Sequence, residues 1–164
     1  LELDARFQNL VTAPVDEPVA LPVIPASSAD AIELKDEETL YDTALELIRN
    51  RQYALAVTQL NAVISQYPDG KYTANAYYWL GDVYTAMTPA QLENARQALA
   101  QVVAFFPDHQ KVPHAMYKLG VVYNLMGDCQ KATEILNQVI SEQQGKSVAT
   151  LAETHLRDKV NCGD

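Results

Sequence analysis

Apolar residues along this chain return with the 3.6-residue period of amphipathic helices, and the helical stretches come in pairs separated by short polar turns. The pattern predicts helices over residues 37–49, 53–66, 73–86, 89–105, 112–126, 129–142 and 147–159. The second helix must end before Pro68, because the residue ahead of a proline is driven out of the α region. Asp69-Gly70 and Gly127-Asp128 supply turn chemistry at two of the reversals. Pro89, with Thr88 ahead of it, reads as the first residue of the fourth helix, where a missing N–H sacrifices no hydrogen bond.

The helix pairs are copies of one another. Ala44, Gly81 and Gly120 recur on the first helix of each pair at intervals of 37 and 39 residues. Ala56, Ala95 and Ala132 recur on the second, followed by Leu60, Leu99 and Leu136 and then Val63, Val102 and Val139. A Tyr/Phe-Pro-Asp turn closes the first two copies, Tyr67 to Gly70 and Phe106 to His109. A fixed period of this kind specifies an all-α stack of helical hairpins, and the helix at 147–159 reads as the cap that an open-ended stack needs. The small residues have a steric reason: where the two helices of a pair cross, Gly or Ala lets the backbones approach, so Ala44, Gly81 and Gly120 are expected to meet Ala56, Ala95 and Ala132.

Upstream the pattern changes. Residues 1–11 place Leu3, Phe7 and Leu10 at helical spacing and read as the end of a coiled-coil helix. Residues 12–36 carry Pro14, Pro18, Pro22 and Pro25 and read as a semi-extended, disordered linker, leaving 37–164 as the repeat domain. Of the formal charge of −9, residues 1–38 carry −7, so the repeats are nearly neutral and lack the clustered Lys and Arg of a nucleic-acid surface. No run of apolar residues is long enough to span a membrane. The chain begins at Leu1 without a basic-then-apolar leader, as expected of a mature or truncated product.

The repeated positions resemble the tetratricopeptide repeat. The clearest copies are WLGDVY (Trp79 to Tyr84) with Ala95, Leu99 and Pro107, and KLGVVY (Lys118 to Tyr123) with Ala132 and Leu136. Departures are two extra residues around Pro89, Thr43 where a large apolar residue is expected, and Gln144 in place of a third proline. The run NAYYWLGDVY, three repeats only, and a Pro/Ser-containing linker behind an LDAR-type helix end together resemble the YbgF/CpoB family. That resemblance implies a periplasmic accessory of the Tol-Pal envelope system, which coordinates peptidoglycan synthesis with outer-membrane constriction in cell division. It also implies repeats that bind TolA, possible contact with the peptidoglycan synthase machinery, and trimers formed only with the full N-terminal coiled coil. An alternative is a component of outer-membrane protein assembly similar to BamD, which a lipid-modified cysteine near the native N-terminus would favour.

Cys129 and Cys162 have no metal-ligand or C-x-x-C spacing. If the helix starting at Cys129 reverses near Gly145, antiparallel packing brings the two side by side, and a disulfide is sterically reasonable if their Cα atoms fall within ~7 Å. The alternative is two unrelated thiols. A bridge would imply an oxidising compartment.

Nothing in the sequence reads as catalytic. His109, His114 and His155 form no zinc-binding pair, there is no Gly-rich phosphate loop and no G-x-S-x-G elbow, so no enzyme activity, cofactor or metal is expected. A partner-binding wall is the better candidate. The register set by Ala44, Gly81 and Gly120 puts Tyr41, Tyr78 and Tyr117 at one equivalent position, a ladder suited to peptide or helix recognition. The same wall is expected to show Leu45, Asn75, Asp82, His114, Val121 and Asn124. The competing reading has the tyrosines packed between repeats with only their hydroxyls wet, and Trp79 reads as core between repeats. A groove of Tyr, Asn, Asp and one His, without Lys or Arg, suits a mixed or apolar helical partner rather than a bound carboxylate. The resemblance points to a helical segment of TolA.

Overall fold

A computed structural model describes residues 35–163 of the chain, and the expected helix end and most of the expected linker lie outside the described residues. The described residues form seven helices and no strand: α1 Glu37–Arg49, α2 Tyr53–Gln66, α3 Thr73–Ala86, α4 Leu92–Phe105, α5 Val112–Leu125, α6 Cys129–Glu142 and α7 Ser147–Lys159. Consecutive helices pack as hairpins, α1 with α2, α3 with α4 and α5 with α6, and each hairpin packs on the next. The odd-numbered helices also touch in series, α3 with α5 and α5 with α7, so they line one wall of the stack.

The wall between paired helices is built by the repeated small and branched residues. Ala44, Ala56, Ala95 and Ala132 are fully buried, as are Leu60, Leu99, Leu136, Val63, Val102 and Val139. The glycines meet a different partner from the alanines expected. A methyl group on Gly120 would lie 2.8 Å from Leu136 Cγ and 2.9 Å from its Cδ2, while the nearest atom of Ala132 is its carbonyl oxygen at 3.6 Å. On Gly81 it would lie 2.6 Å from Leu99 Cδ2. Each of these glycines is thus the socket for the leucine of the following helix, and the alanine four residues earlier only lets that helix come close enough to seat it.

Six helices start where the periodicity puts them, and α5 ends one residue early. The exception is α4, which begins at Leu92 rather than Pro89. The Thr88–Pro89 peptide is cis, and the two extra residues let the chain fold back on α3, where the Gln91 N–H donates to the Tyr84 carbonyl at 2.9 Å before the helix begins. The turns after α5 and α6 use Gly127 (φ 83°) and Gly145 (φ 76°), left-handed conformations that cost glycine nothing.

The first turn joining repeats is fastened from a distance. The Glu37 carboxylate accepts from the N–H groups of Tyr72 (2.6 Å) and Lys71 (3.1 Å), satisfying donors at the start of α3 that have no intrahelical partner. The Tyr67 hydroxyl donates to the Lys35 carbonyl at 3.0 Å. Buried Thr73 donates to the Tyr67 carbonyl. At the other end, the Sγ atoms of Cys129 and Cys162 are bonded, with Cα atoms 5.4 Å apart. The bridge ties the chain beyond α7 to the first residue of α6.

Candidate functional site: the wall of the odd-numbered helices

Along this wall the three equivalent tyrosines occupy equivalent sockets with different linings. The Tyr41 ring, on α1, stacks on Tyr72 with centroids 4.6 Å apart and planes 12° apart, and its hydroxyl accepts a 2.9 Å hydrogen bond from Trp79 Nε1. The Tyr78 ring, on α3, lies under two ammonium groups from the next repeat, Lys111 Nζ at the cap of α5, 4.9 Å from its centroid, and Lys118 Nζ on α5, 5.6 Å from it. The Tyr117 ring, on α5, meets the edge of His155 on α7, with centroids 6.2 Å apart and planes at 89°.

Register explains the correspondence. Lys111 stands 39 residues after Tyr72, and Lys118 stands 39 after Trp79. Tyr41 and Tyr78 are therefore each clasped by the same two positions, the N-cap of the following odd-numbered helix and a residue seven further on. In the first socket they are aromatic and in the second they are basic.

The wall collects the predicted residues, but unequally. Tyr41 and Tyr78 keep only 9% and 8% of their surface and belong to the core clusters, so packing between repeats describes these two. Tyr117, Leu45, Asn75, Asp82, Val121 and Asn124 are half-buried and His114 is exposed. Trp79 is half-buried and packs against both neighbouring clusters. Asn124 is turned toward α7, where its side-chain nitrogen lies 3.3 Å from His155 Nε2 and donates to the Lys159 carbonyl at 3.2 Å.

One expectation is corrected here. The wall is not free of cations: Lys118 forms an ion pair with Asp82, and Lys111 projects over Tyr78 and, at 6.0 Å, over Trp79. Sequence reasoning assigned wall positions from the small-residue register of the helix interiors and overlooked Lys111, which sits at the cap ahead of α5, and Lys118, one residue beyond Tyr117. Aligning Tyr72 with Lys111 and Trp79 with Lys118 would have found both.

His114 is held below the ordinary histidine range by partial burial first and then by Lys111 and Lys118. His155 is lowered by burial and then by Lys159, and His109 by burial and then by Lys111. The Tyr78 phenol is pushed up to about 12, chiefly by burial and then by the Asp82 carboxylate. Among the described residues no three His, Cys, Asp or Glu side chains converge as a metal site, and no helix is long and apolar enough to cross a membrane.

Paired helices of this length, stacked in one row and ending in a solvent-facing helix, define a tetratricopeptide-repeat protein. Two solved structures of nearly identical TPR-like repeats from Podosopora anserina, one of them a point variant of the other, superpose on it with TM-scores of 0.62 and 0.61. In both, 73% of this chain and 63% of the other are covered at 21% identity, a likeness of fold. The chain belongs to the YfiO family, described as outer membrane lipoprotein, whose model matches residues 33–154. It is also similar to the cell division coordinator CpoB of Pseudomonas putida, 39% identical over 62 residues. That match spans 38% of this chain and 23% of the curated relative's length.

Proposed function

We propose that this chain is a non-catalytic, periplasmic protein-binding module of the cell-division machinery, working with the Tol-Pal system to coordinate outer-membrane constriction with peptidoglycan synthesis. The observation that carries the reading is the open wall of α1, α3, α5 and α7, on which Tyr117, Val121 and His114 stand partly or fully exposed beside one another at helical spacing. Such a stripe suits a partner helix laid along it with anchors three or four residues apart. The similarity to CpoB, in name a cell division coordinator, supports the cellular role, and the Cys129–Cys162 bridge supports an oxidising compartment. The repeat domain proper runs over 37–164. Full-length copies joined by an N-terminal coiled coil would present several such walls and raise the effective concentration at the partner.

The test is surface plasmon resonance of the full chain over an immobilised helical domain of TolA. Tyr117→Ala, which removes a half-buried ring at the edge of the core cluster of Met116, Leu136, Val139, Val148 and Ala152, is expected to weaken binding at least tenfold while the far-UV spectrum is unchanged. Equal binding by Tyr117→Ala and the unaltered chain refutes use of this wall. A second reading, a component of outer-membrane protein assembly similar to BamD, draws on the matching family's description as an outer membrane lipoprotein. It predicts co-purification with the outer-membrane assembly complex and none with TolA.

A further inference from the structure

The two sockets that differ only in their lining are the starting point. In the first, the clasping residues Tyr72 and Trp79 satisfy one another and Tyr41 by stacking and hydrogen bonding. In the second, Lys118 is neutralised by Asp82, but Lys111 has no carboxylate within ion-pair distance among the described residues. Its ammonium is held over the Tyr78 and Trp79 rings, which fixes its position without cancelling its charge. His114 lies one turn further along α5 and is exposed, and Lys118 lies one turn beyond that. Lys111, His114 and Lys118 are spaced three and four residues apart, so they form one stripe along the open wall. Of the three, Lys111 carries the charge that nothing among the described residues cancels, in a chain with a formal net charge of −9.

We propose that the second socket is a receptor for an acidic side chain of the bound partner, whose carboxylate lands on Lys111 beside the His114 ring. The partner segment is then an acidic amphipathic helix or extended peptide, its apolar side on Tyr117 and Val121 and its negative side toward the start of α5. Asp82 on Lys118 shows the geometry in miniature: a carboxylate already occupies one of the two ammonium groups above Tyr78. An ammonium fixed on an aromatic face loses less conformational freedom when it pairs than a free lysine does, which favours recognition at this position over the solvated lysines elsewhere. This inference rests on the wall being the binding surface.

The two ideas fail differently in one experiment. A phage library of random 16-residue peptides is selected on the folded 164-residue chain, and the enriched peptides are measured by fluorescence anisotropy against the unaltered chain, Lys111→Glu and Tyr117→Ala. The expected result is enrichment of Asp and Glu, binding that weakens with added salt, at least a tenfold loss for Lys111→Glu, and recovery of that variant's binding by peptides with Glu exchanged for Lys. Binding lost in Tyr117→Ala but indifferent to Lys111→Glu and to peptide charge overturns the acidic receptor and leaves the wall standing. Peptides indifferent to both substitutions, or no enriched peptide at all, overturn both. Lys111→Gln serves as a second variant should charge reversal disturb folding, and is expected to lose affinity without gaining any for basic peptides.

Discussion

Gly120→Ala isolates the contact on which the stack depends. The new methyl would stand 2.8 Å from Leu136 Cγ and 2.9 Å from Cδ2, well inside contact distance, and Leu136 is fully buried, so the side chain must shift within a close-packed interior. Two effects oppose each other. Alanine in a helix interior is favoured over glycine by ~1 kcal/mol, whereas overpacking a close-packed site costs ~1–3 kcal/mol. The net is a loss of about 1 kcal/mol, equivalent to a fall in Tm of roughly 4 °C for a domain of this size. Leu136→Ala alone is expected to cost ~2–5 kcal/mol. In that background the obstruction is gone, so Gly120→Ala should become stabilising by ~1 kcal/mol, and the double-mutant cycle should report a coupling of ~1–3 kcal/mol. Urea unfolding followed by far-UV circular dichroism on all four proteins measures it. Additive effects, or a Gly120→Ala that stabilises the unaltered background, would refute the idea that these glycines exist to seat the leucines.

Further expectations follow from contacts elsewhere. Tyr41→Phe leaves the half-buried Trp79 Nε1–H without its acceptor, and should cost ~1–2 kcal/mol and shift the emission of the chain's one tryptophan; unchanged fluorescence and stability would show that the bond is not formed. The bridge between Cys129 and Cys162 closes a span of 33 residues, which in the chain-entropy view stabilises by up to about 3–4 kcal/mol, so dithiothreitol should selectively raise hydrogen exchange in α7; equal exchange in both redox states would refute this. His109, His114 and His155 are all shifted downward, so the unfolded chain takes up protons that the folded chain declines; stability should hold above the ordinary value of 6.5 and fall as the pH drops below it. Imidazole carbon-bound proton shifts followed by NMR read the three titrations directly, and a midpoint for His114 at or above 6.5 would refute its partial burial beside Lys111 and Lys118.

The fold was legible because it is written three times. Leu60, Leu99 and Leu136 each end fully buried, and one copy alone would not separate that role from an ordinary amphipathic face. The start of α4 was not legible. Pro89 satisfies the local rules for a first helical residue, but the chain there is committed to a tertiary bond between the Gln91 N–H and the Tyr84 carbonyl, and the helix waits for Leu92. The candidate site was half legible. The spacing put Tyr41, Tyr78 and Tyr117 in register, yet periodicity says where a side chain points and not how much of it the next repeat covers. Tyr41 is covered by Tyr72 stacked on its ring and Trp79 bonded to its hydroxyl, and Tyr78 by two lysine ammonium groups, whereas Tyr117 meets a single imidazole and stays half open.

That difference bears on how a repeat domain acquires specificity. The hairpins are held at their spacing by repeated small and branched residues: a glycine or alanine on the first helix, and an alanine, a leucine and a valine on the second, all buried. The two positions that clasp Tyr41 and Tyr78 contribute to packing between repeats through their stems and rings. A lysine chain covers an aromatic face about as well as another ring does and still delivers its charge to water. Exchanging Tyr72 and Trp79 for Lys111 and Lys118 at equivalent positions thus preserves cover over the tyrosine beneath while changing what the wall offers a partner, from aromatic edges near α1 to ammonium groups near α5. On the binding mode proposed above, a ligand laid along the row would meet a graded surface that fixes its direction, because a helix with its acidic end at α5 would gain an ion pair that the reversed helix could not form.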